Sequence, residues 1–502
     1  MRQIVNSKQM KYLDQLTLKE QEISSYELML RAGSKVEEAM YIDALCDYSK
    51  LFVVVAGPGN NGGDALVVMR RLLERGAEAV LIQAFDLESA TDEVKEAFQE
   101  LIKLKPTIQK LTDEIDLEDV EQWLDYAGTI VDGLFGIGLT RNVTGIYHKL
   151  IQRINESFLD IISIDMPSGI HPDNGLVMGA AIQAKHTLVI QNIKQGHLLQ
   201  DGPDYSGNLH IIDCNIMQCV FPEIQMHLDE LYMIGKITPR KKNTHKYHYG
   251  SVVTIGGSKG MMGAPVLCAK ATQKTGTGLS TILHHERYFK DAMMIDPSLL
   301  YNHYSSIEEI PALIRKATAI VFGPGLNKND ELNTKILQYL LKTQKPIVID
   351  AGGLYYLKKL VKSYSDLSQV IITPHFAEMA DFIDVPISEL KENPVLYAQN
   401  IVHKYKLTVV LKGYTTLILN DDHTFFSNYG TPGLAKAGSG DVLAGIIASL
   451  LGRRMNSIEA AKIGVLLHSK TGWFAQSKLG EESIGPLDLI DAIPQVLQFM
   501  RR

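Results

Sequence analysis

The chain has 502 residues, 45% of them hydrophobic and 21% charged, with a formal net charge of −7 at pH 7. That length exceeds what one ordinary core serves, so two domains are expected; the acidic balance argues against nucleic acid as the main partner. Four cysteines without a CxxC pair suggest neither a zinc site nor a disulfide framework, and with no apolar signal core and no uncharged run near ~20 residues, a cytoplasmic protein with no membrane partner is expected.

In chain order, Leu51–Ala56, Ala79–Ala84, Thr129–Asp132 and Ile161–Asp165 read as short buried strands rich in Val and Ile. Amphipathic helices fall between them, for example Asp64–Arg75 and Ala90–Leu104. Between Asp213 and Arg240 the pattern turns irregular, and Thr238–His248 is rich in Lys, His and Asn. A boundary near residue 222 follows, giving domains 1–222 and 223–502. The second domain resumes with strands at Ser251–Ile255, Ala319–Phe322, Pro346–Asp350, Val370–Thr373 and Thr408–Lys412. Strands alternating with helices predict an α/β chain of two three-layer α/β/α domains, each a parallel sheet covered on both faces. Ligands in such sheets bind beyond the carboxyl ends of the strands.

Gly57-Pro58-Gly59-Asn60-Asn61-Gly62 matches GxGxxG between a strand and a helix, and Asp86 ends the next strand, where a ribose-binding acid would stand. The loop continues as Gly63-Asp64, so two amides and a carboxylate crowd the helix start. That set suits a hydrated ligand or a hard cation better than a bare pyrophosphate. Asp132 is followed by the glycine-rich run from Gly133 to Asn142, and Asp165 by Met166-Pro167-Ser168-Gly169. Three strand ends, each with an oxygen donor and a glycine, can converge on one site.

GPGNNGGD, DGLFGIGL and DMPSG in this order, with the helical opening around Met10, Asp14 and Leu30-Arg31-Ala32-Gly33, resemble the NAD(P)H-hydrate epimerase family over roughly residues 1–220. The resemblance implies a Rossmann-like domain in which Asn61, Asp132 and Ser168 hold a potassium ion. It also implies that Asn60, Asn61, Gly62, Gly63 and Asp64, the loop Gly136, Ile137, Gly138, Leu139, Thr140, Arg141 and Asn142, and then Tyr147 and Asp165 contact the hydrated dinucleotide. Asp165 is the candidate acid/base. Ala65 departs from the family pattern, which has a glycine there, and Thr187-Leu188-Val189-Ile190 replaces a Thr-Phe-rich strand, while Lys194 and Gly196 keep their places.

Toward the C-terminus, Gly430 to Gly445 is a glycine-rich turn running into a helix. Gly438 and Gly440 let free N–H groups at the helix start point into one cavity, which suits a transferring phosphate. Asp441 is then placed to take a proton from a hydroxyl that attacks phosphorus. Gly256 to Ala264 is another strand-to-helix glycine loop, without the GxxxxGK[ST] spacing of a Walker loop. Gly323-Pro324-Gly325, Thr373-Pro374-His375 and Lys412-Gly413-Tyr414-Thr415-Thr416 each follow a strand, the last offering a cation and hydroxyls to phosphates or ribose.

The ordered set GGSKGMMGA, FGPGL, DAGGL, TPHFAEM, VVLKGYTT and AGSGDVLAG resembles the ribokinase-like superfamily over about residues 240–480, and more closely the ADP- or ATP-dependent NAD(P)H-hydrate dehydratases. The resemblance implies Ala264, Gly325, His375 and Asp441 at the hydrated substrate. It implies Lys412, Gly413, Tyr414, Thr415, Thr416 and Gly440 at the adenine nucleotide, ADP as co-substrate and a magnesium ion. Phe376-Ala377, Lys436-Ala437 and Tyr247 depart from the family pattern. Together the two resemblances imply a homo-oligomeric, bifunctional enzyme of isomerase and lyase type. It would epimerise the R and S forms of NADHX and NADPHX and dehydrate the S form, converting ADP to AMP and phosphate. A ribokinase-like small-alcohol kinase fused to a non-catalytic dinucleotide-binding domain shares the Gly-Ser-Gly-Asp turn but leaves the first half unexplained.

Overall fold

The structure is a computed structural model and describes residues 1–288 and 296–501. Its contacts divide the chain into two units, Gln3–Pro222 and Glu223–Arg502, the latter including Met1–Arg2.

In the first unit, Val- and Ile-rich runs bounded by glycine turns become β1 (Arg2–Val5), β2 (Leu51–Ala56), β3 (Ala79–Gln83), β4 (Thr107–Lys110), β5 (Ala127–Gly133), β6 (Asp160–Ile164), β7 (His186–Ile190), β8 (Ile193–Lys194) and β9 (Asn208–Ile212). β1 pairs with β8 through Ile4 and Ile193. The main sheet is parallel, in the order β4-β3-β2-β5-β6-β7-β9. Alternation along β2 feeds two cores. Phe52, Val54 and Ala56 pack with Val36, Leu66 and Val67, whereas Val53 and Val55 pack with Val120, Leu150 and Ile154. Helices therefore cover both faces, and each buried Val or Ile contributes about 1.5–3 kcal/mol.

The sequence pattern starts a helix at Asp64, but the helix spans Asn60–Glu74. Gly62 and Gly63 look like loop residues in sequence, yet they lie inside the helix, at a start with no room for side chains. A Cβ on Gly62 would lie 1.9 Å from the Gly57 carbonyl oxygen, and one on Gly63 would lie 2.3 Å from Met29 Cε. The next predicted helix, Ala90–Leu104, is trimmed to Asp92–Ile102 by its Thr91 cap.

The second unit contains β10 (Ile224–His227), β11 (Ser251–Ile255), β12 (Leu279–His285), β13 (Leu300–Tyr304), β14 (Ala319–Phe322), β15 (Ile347–Ile349), β16 (Val370–Ile372), β17 (Thr408–Leu411), β18 (Thr416–Leu419) and β19 (His423–Ser427). They lie in the order β13-β12-β11-β14-β15-β16-β17-β18-β19-β10. The sheet is parallel up to β17, and β17-β18-β19 then run antiparallel, a meander the sequence pattern did not announce. Val252, Val321, Val348 and Ile371 pack on Ile446, Ile447 and Leu450 of the helix Ser439–Gly452 and on Ile463 and Leu467 of the helix Ser457–Leu479. On the opposite face the helix Gly352–Leu360 lies against β15. No helix among the described residues is long and apolar enough to cross a membrane.

Candidate active sites

In the first unit the strand order reverses between β2 and β5, because β3 lies on one side of β2 and β6 on the far side of β5. The loops leaving β2 and β5 must part there, and a crevice opens at their carboxyl ends. It is a cavity of about 470 Å³ lined by Asn60, Asn61 and Asp64, by Gly136, Ile137, Gly138, Leu139, Thr140 and Arg141, and by Asp165. Asp14, which the sequence reading gave no chemical role, also faces it.

Four predicted contact residues do not line this cavity. Gly62 and Gly63 pack against protein, as above. Asn142 is exposed and lies toward the Gly179 turn. Tyr147 stacks edge-on against Phe135 at 5.4 Å between ring centroids. Asp86, the formal ribose acid, is exposed and caps its own turn by accepting from Glu88 N at 3.1 Å.

Beneath the cavity floor the three strand ends are tied together. Asp132 is buried, accepting from Ser163 Oγ at 2.8 Å, from Ser168 N at 2.9 Å and from Ser168 Oγ at 2.5 Å. Burial raises its carboxyl above the ordinary value, while these donors oppose the rise. Ser168 Oγ accepts from Phe135 N at 2.7 Å, and the Asn61 amide donates to Phe135 O at 3.0 Å. One carboxylate, a hydroxyl, a carbonyl and an amide thus meet in one place. That oxygen-rich set with a single formal charge fits a hard cation of low charge.

Asp165 directly follows β6 in the left-handed region, with φ 59°. The strain is held by its surroundings. The fully buried Lys194 ammonium ion-pairs with Asp165 Oδ1, and Ile190 N donates to the same oxygen at 2.9 Å. His197 accepts from Lys194 N through Nδ1 at 3.0 Å, which leaves Nε2 to donate to the Asp165 carbonyl at 2.7 Å. Burial, then the Lys194 charge, pushes the His197 ring down to about 4, so it stays neutral. Two further carboxyls share this neighbourhood. Burial raises Asp14 to about 6, with Lys194 opposing and Asp165 reinforcing. Burial, with Asp165 and Asp14 adding to it, lifts Asp64 well above the ordinary range. Three acidic groups thus gather around one ammonium, and burial holds two of them, Asp14 and Asp64, above the ordinary carboxyl range. Such a site can both give and take a proton.

In the second unit the reversal falls between β11 and β14. Their loops interlock there, with Gly257 N donating to Pro324 O at 2.9 Å and Ser258 Oγ to Gly325 O at 2.7 Å. A Cβ on Gly325 (φ 69°) would come within 3.3 Å of Ala264 Cβ, so these two predicted substrate residues adjoin. Across the sheet, Gly438 caps the helix Ser439–Gly452 with φ 91° and supplies no side-chain cap. The Gly440 and Asp441 amides belong to the first turn, whose N–H groups have no partner within a helix.

Asp441 is surrounded by charge. Burial, then Asp350, raises its carboxyl to about 7; Lys412 opposes and Glu378 adds. Lys412 Nζ lies 3.0 Å from Asp350 Oδ1 and 3.8 Å from Glu378 Oε2, and a Cβ on Gly440 would sit 3.1 Å from it. Burial works against the Lys412 charge, but Asp350 and Glu378 outweigh it and hold the ammonium above its ordinary value. Asp350 is buried and also accepts from Thr373 Oγ1 at 2.8 Å. In the sequence it stands in DAGGL without an assigned role, and the structure places it beside Lys412 as a candidate site residue. Ala351 after it has φ 49°, an unusual conformation for a side-chain-bearing residue and a visible sign of a constrained strand end.

His375 caps the helix Phe376–Ile383. Its Nδ1 accepts from Glu378 N at 3.2 Å, and the Glu378 carboxylate accepts from His375 N at 2.9 Å, leaving the imidazole 54% exposed. The cap survives the Phe376-Ala377 departure because it needs only positions 375 and 378. Gly413 and Tyr414 are exposed, Thr416 is half-buried, and Thr415 Oγ1 is buried without a hydrogen-bond partner. Ser439 Oγ lies 3.1 Å from His468 Nε2, and burial pushes that ring down to about 4. Lys436 points away from the turn, toward the Glu482 carbonyl.

Comparisons with known proteins cover both units. A family model described as YjeF-related protein N-terminus matches residues 25–196, and one described as NAD(P)H-hydrate dehydratase matches residues 252–495. The bifunctional NAD(P)H-hydrate repair enzyme Nnr of Thermofilum pendens is 30% identical over 505 residues, spanning 98% of this chain and 96% of that protein. The protein of the same name from Coxiella burnetii is 30% identical, spanning 97% of each. Among solved structures, an ADP/ATP-dependent NAD(P)H-hydrate dehydratase from Bacillus subtilis, co-crystallized with ATP/Mg2+, aligns with 55% of this chain and 98% of its own at 24% identity and a TM-score of 0.49. With relatives that match from end to end, and with both its halves accounted for, the chain belongs to the family of bifunctional NAD(P)H-hydrate repair enzymes.

Proposed function

We propose that the two sites divide NAD(P)H-hydrate repair between them: the domain 1–222 epimerises and the domain 223–502 dehydrates. One observation carries the dehydratase assignment. Asp441 stands at a glycine-opened helix start, in a cluster with Asp350, Glu378 and Lys412.

The chemistry follows from the substrate. Hydration leaves a hydroxyl on carbon 6 of the nicotinamide ring, and hydroxide is a poor leaving group. Asp441 takes the hydroxyl proton as that oxygen attacks the β-phosphorus of ADP, and the bond to the bridging oxygen breaks to release AMP. The Gly440 and Asp441 amides bind the migrating phosphoryl group. The ring nitrogen lone pair then expels phosphate from carbon 6, and loss of a proton from carbon 5 restores the double bond. Lys412 holds Asp350 and Glu378 in place and offsets phosphate charge. The lone Thr415 hydroxyl supports a polar ligand contact at the proposed nucleotide segment 412–416. A magnesium ion carried on the nucleotide's phosphates supplies further charge neutralisation. We favour ADP over ATP as the donor.

In the domain 1–222, carbon 6 bears both the hydroxyl and the ring nitrogen. Removing the hydroxyl proton while the carbon–nitrogen bond breaks gives an aldehyde, which can reclose on either face. Asp165 serves as acid/base, kept in position by Lys194. Asn61, Asp132 and Ser168, with the Phe135 carbonyl, hold a potassium ion that fixes the loop bearing Gly136–Arg141.

The test is a repair assay on separated R and S hydrates with ADP and ATP compared, following recovery of the reduced-nicotinamide absorbance. The S form should recover directly, and the R form at the rate of epimerisation. No recovery of either form with either nucleotide would return the small-alcohol kinase reading, which the family match does not favour.

A further inference from the structure

The segment Thr238–His248, which neither site uses, forms one wall of a second cavity in the unit Glu223–Arg502. This cavity has a volume of about 560 Å³. Its other wall comes from Arg453 and Arg454, just past the end of the helix Ser439–Gly452. Asp441 is in the first turn of that helix, so the cavity lies about 20 Å from the proposed dehydration site.

The charges here are of one sign. Lys241, Arg453 and Arg454 line the cavity, and no carboxylate among the described residues does. Lys236 also lines it but has a carboxylate neighbour in Glu459, so it is set aside. Burial, then the charges of Arg240 and Arg501, hold the Arg453 guanidinium below its ordinary value. Arg453 and its neighbour Arg240 are fixed by contacts, whereas Lys241 and Arg454 are exposed. Arg453 Nη2 donates to Thr238 O at 3.3 Å, Arg240 Nη2 donates to Gly276 O at 2.6 Å, and the Arg240 guanidinium sits 4.3 Å over the Tyr249 ring. Cations at a helix C-terminus complement its dipole. That accounts for Arg453 and Arg454, but not for Lys241, which another segment brings to the same place. Clustering like charges is unfavourable unless an anion joins them. Two tyrosines, Tyr247 and Tyr249, also line the cavity, and Tyr247 is 48% exposed.

We propose that this cavity binds the polyphosphate group of a small nucleotide, with Lys241, Arg453 and Arg454 on the phosphates and Tyr247 beside the base. Guanidinium forks match phosphate oxygens, and an exposed aromatic ring offers a stacking face. The site is independent of the Asp441 turn.

Pyrophosphate, ADP and NADPH are each titrated calorimetrically, without magnesium, into the full chain and into the exposed-site variant Lys241→Glu/Arg454→Glu. Relative to the parent, the variant should lose one binding event, or bind at that site about tenfold or more weakly, corresponding to ~1.4 kcal/mol. An unchanged Tm shows that the variant is folded, and Lys241→Gln/Arg454→Gln provides a second, milder variant. The probe whose affinity falls furthest identifies the source of the polyphosphate: inorganic, mononucleotide or dinucleotide. Parent stoichiometry and affinity for all three probes in both variants would overturn the assignment.

Discussion

At the scale of single residues, both sites turn on buried carboxyls set beside a lysine. Asp441 is raised to about 7 by burial and by Asp350. A base with that value gains function as pH climbs through neutrality, so dehydration should rise from pH 6 to pH 8. The same shift costs stability, because the folded state resists an ionisation that the unfolded chain makes freely. The cost is absent near pH 4, grows as pH rises above the ordinary carboxyl value and is complete above about 7. Asp441→Asn should therefore lower kcat by about 10²–10⁴ while raising Tm at pH 8 and leaving it nearly unchanged at pH 4. Parent turnover, or a Tm gain that does not depend on pH, would remove Asp441 from the base role. In the other unit, Lys194→Met leaves Asp165 without its partner and also removes the charge that opposes the rise at Asp14. Breaking a buried pair costs about 3–5 kcal/mol. Epimer exchange, followed by chromatography, should collapse in this variant. Unchanged exchange and stability would show that the pair is idle.

At the scale of elements, glycines decide where backbone meets backbone. A Cβ on Gly57 would lie 1.9 Å from Leu134 O, at the crossing of the two loops that open the epimerase-like cavity. Gly59, two residues on, has nothing within 4 Å of its Cβ position. Gly57→Ala should thus cost about 2–4 kcal/mol in urea unfolding, and Gly59→Ala less than about 1 kcal/mol. Equal costs would mean that the loop crossing is not tight. This difference also bears on what sequence can show. GPGNNGGD announces a strand-to-helix turn, but not that Gly62 and Gly63 lie inside the helix, because their reason lies in Gly57 and Met29. The strands β2, β5, β11 and β14 were legible from their Val and Ile content. β17 was legible too, as Thr408–Lys412, but its antiparallel partners β18 and β19 were not, since those short strands lack a distinctive period.

At the scale of the whole molecule, one chain joins two strand-order reversals, and each unit has its candidate site at the carboxyl ends of its strands. The proposed cation at Asn61, Asp132 and Ser168 ties together the ends of β5 and β6 and the start of the helix after β2. A ligand of the native state stabilises it by mass action. Exchanging potassium for choline at constant ionic strength should lower the Tm of the epimerase-like unit, and Asp132→Asn should abolish the difference. Identical melting in both salts would mean that no such ion is bound. By itself the sequence determined the α/β class, the strand ends that bear donors, and the turn at Gly438–Asp441, because hydrophobic period and glycine placement are local properties. Only the tertiary structure decided that Asp14 and Asp64 join Asp165 around Lys194, and that Asp350 and Glu378 share Lys412 beside Asp441. Those partners come from distant parts of the chain, and the burial that moves their protons exists only once the layers have closed over them.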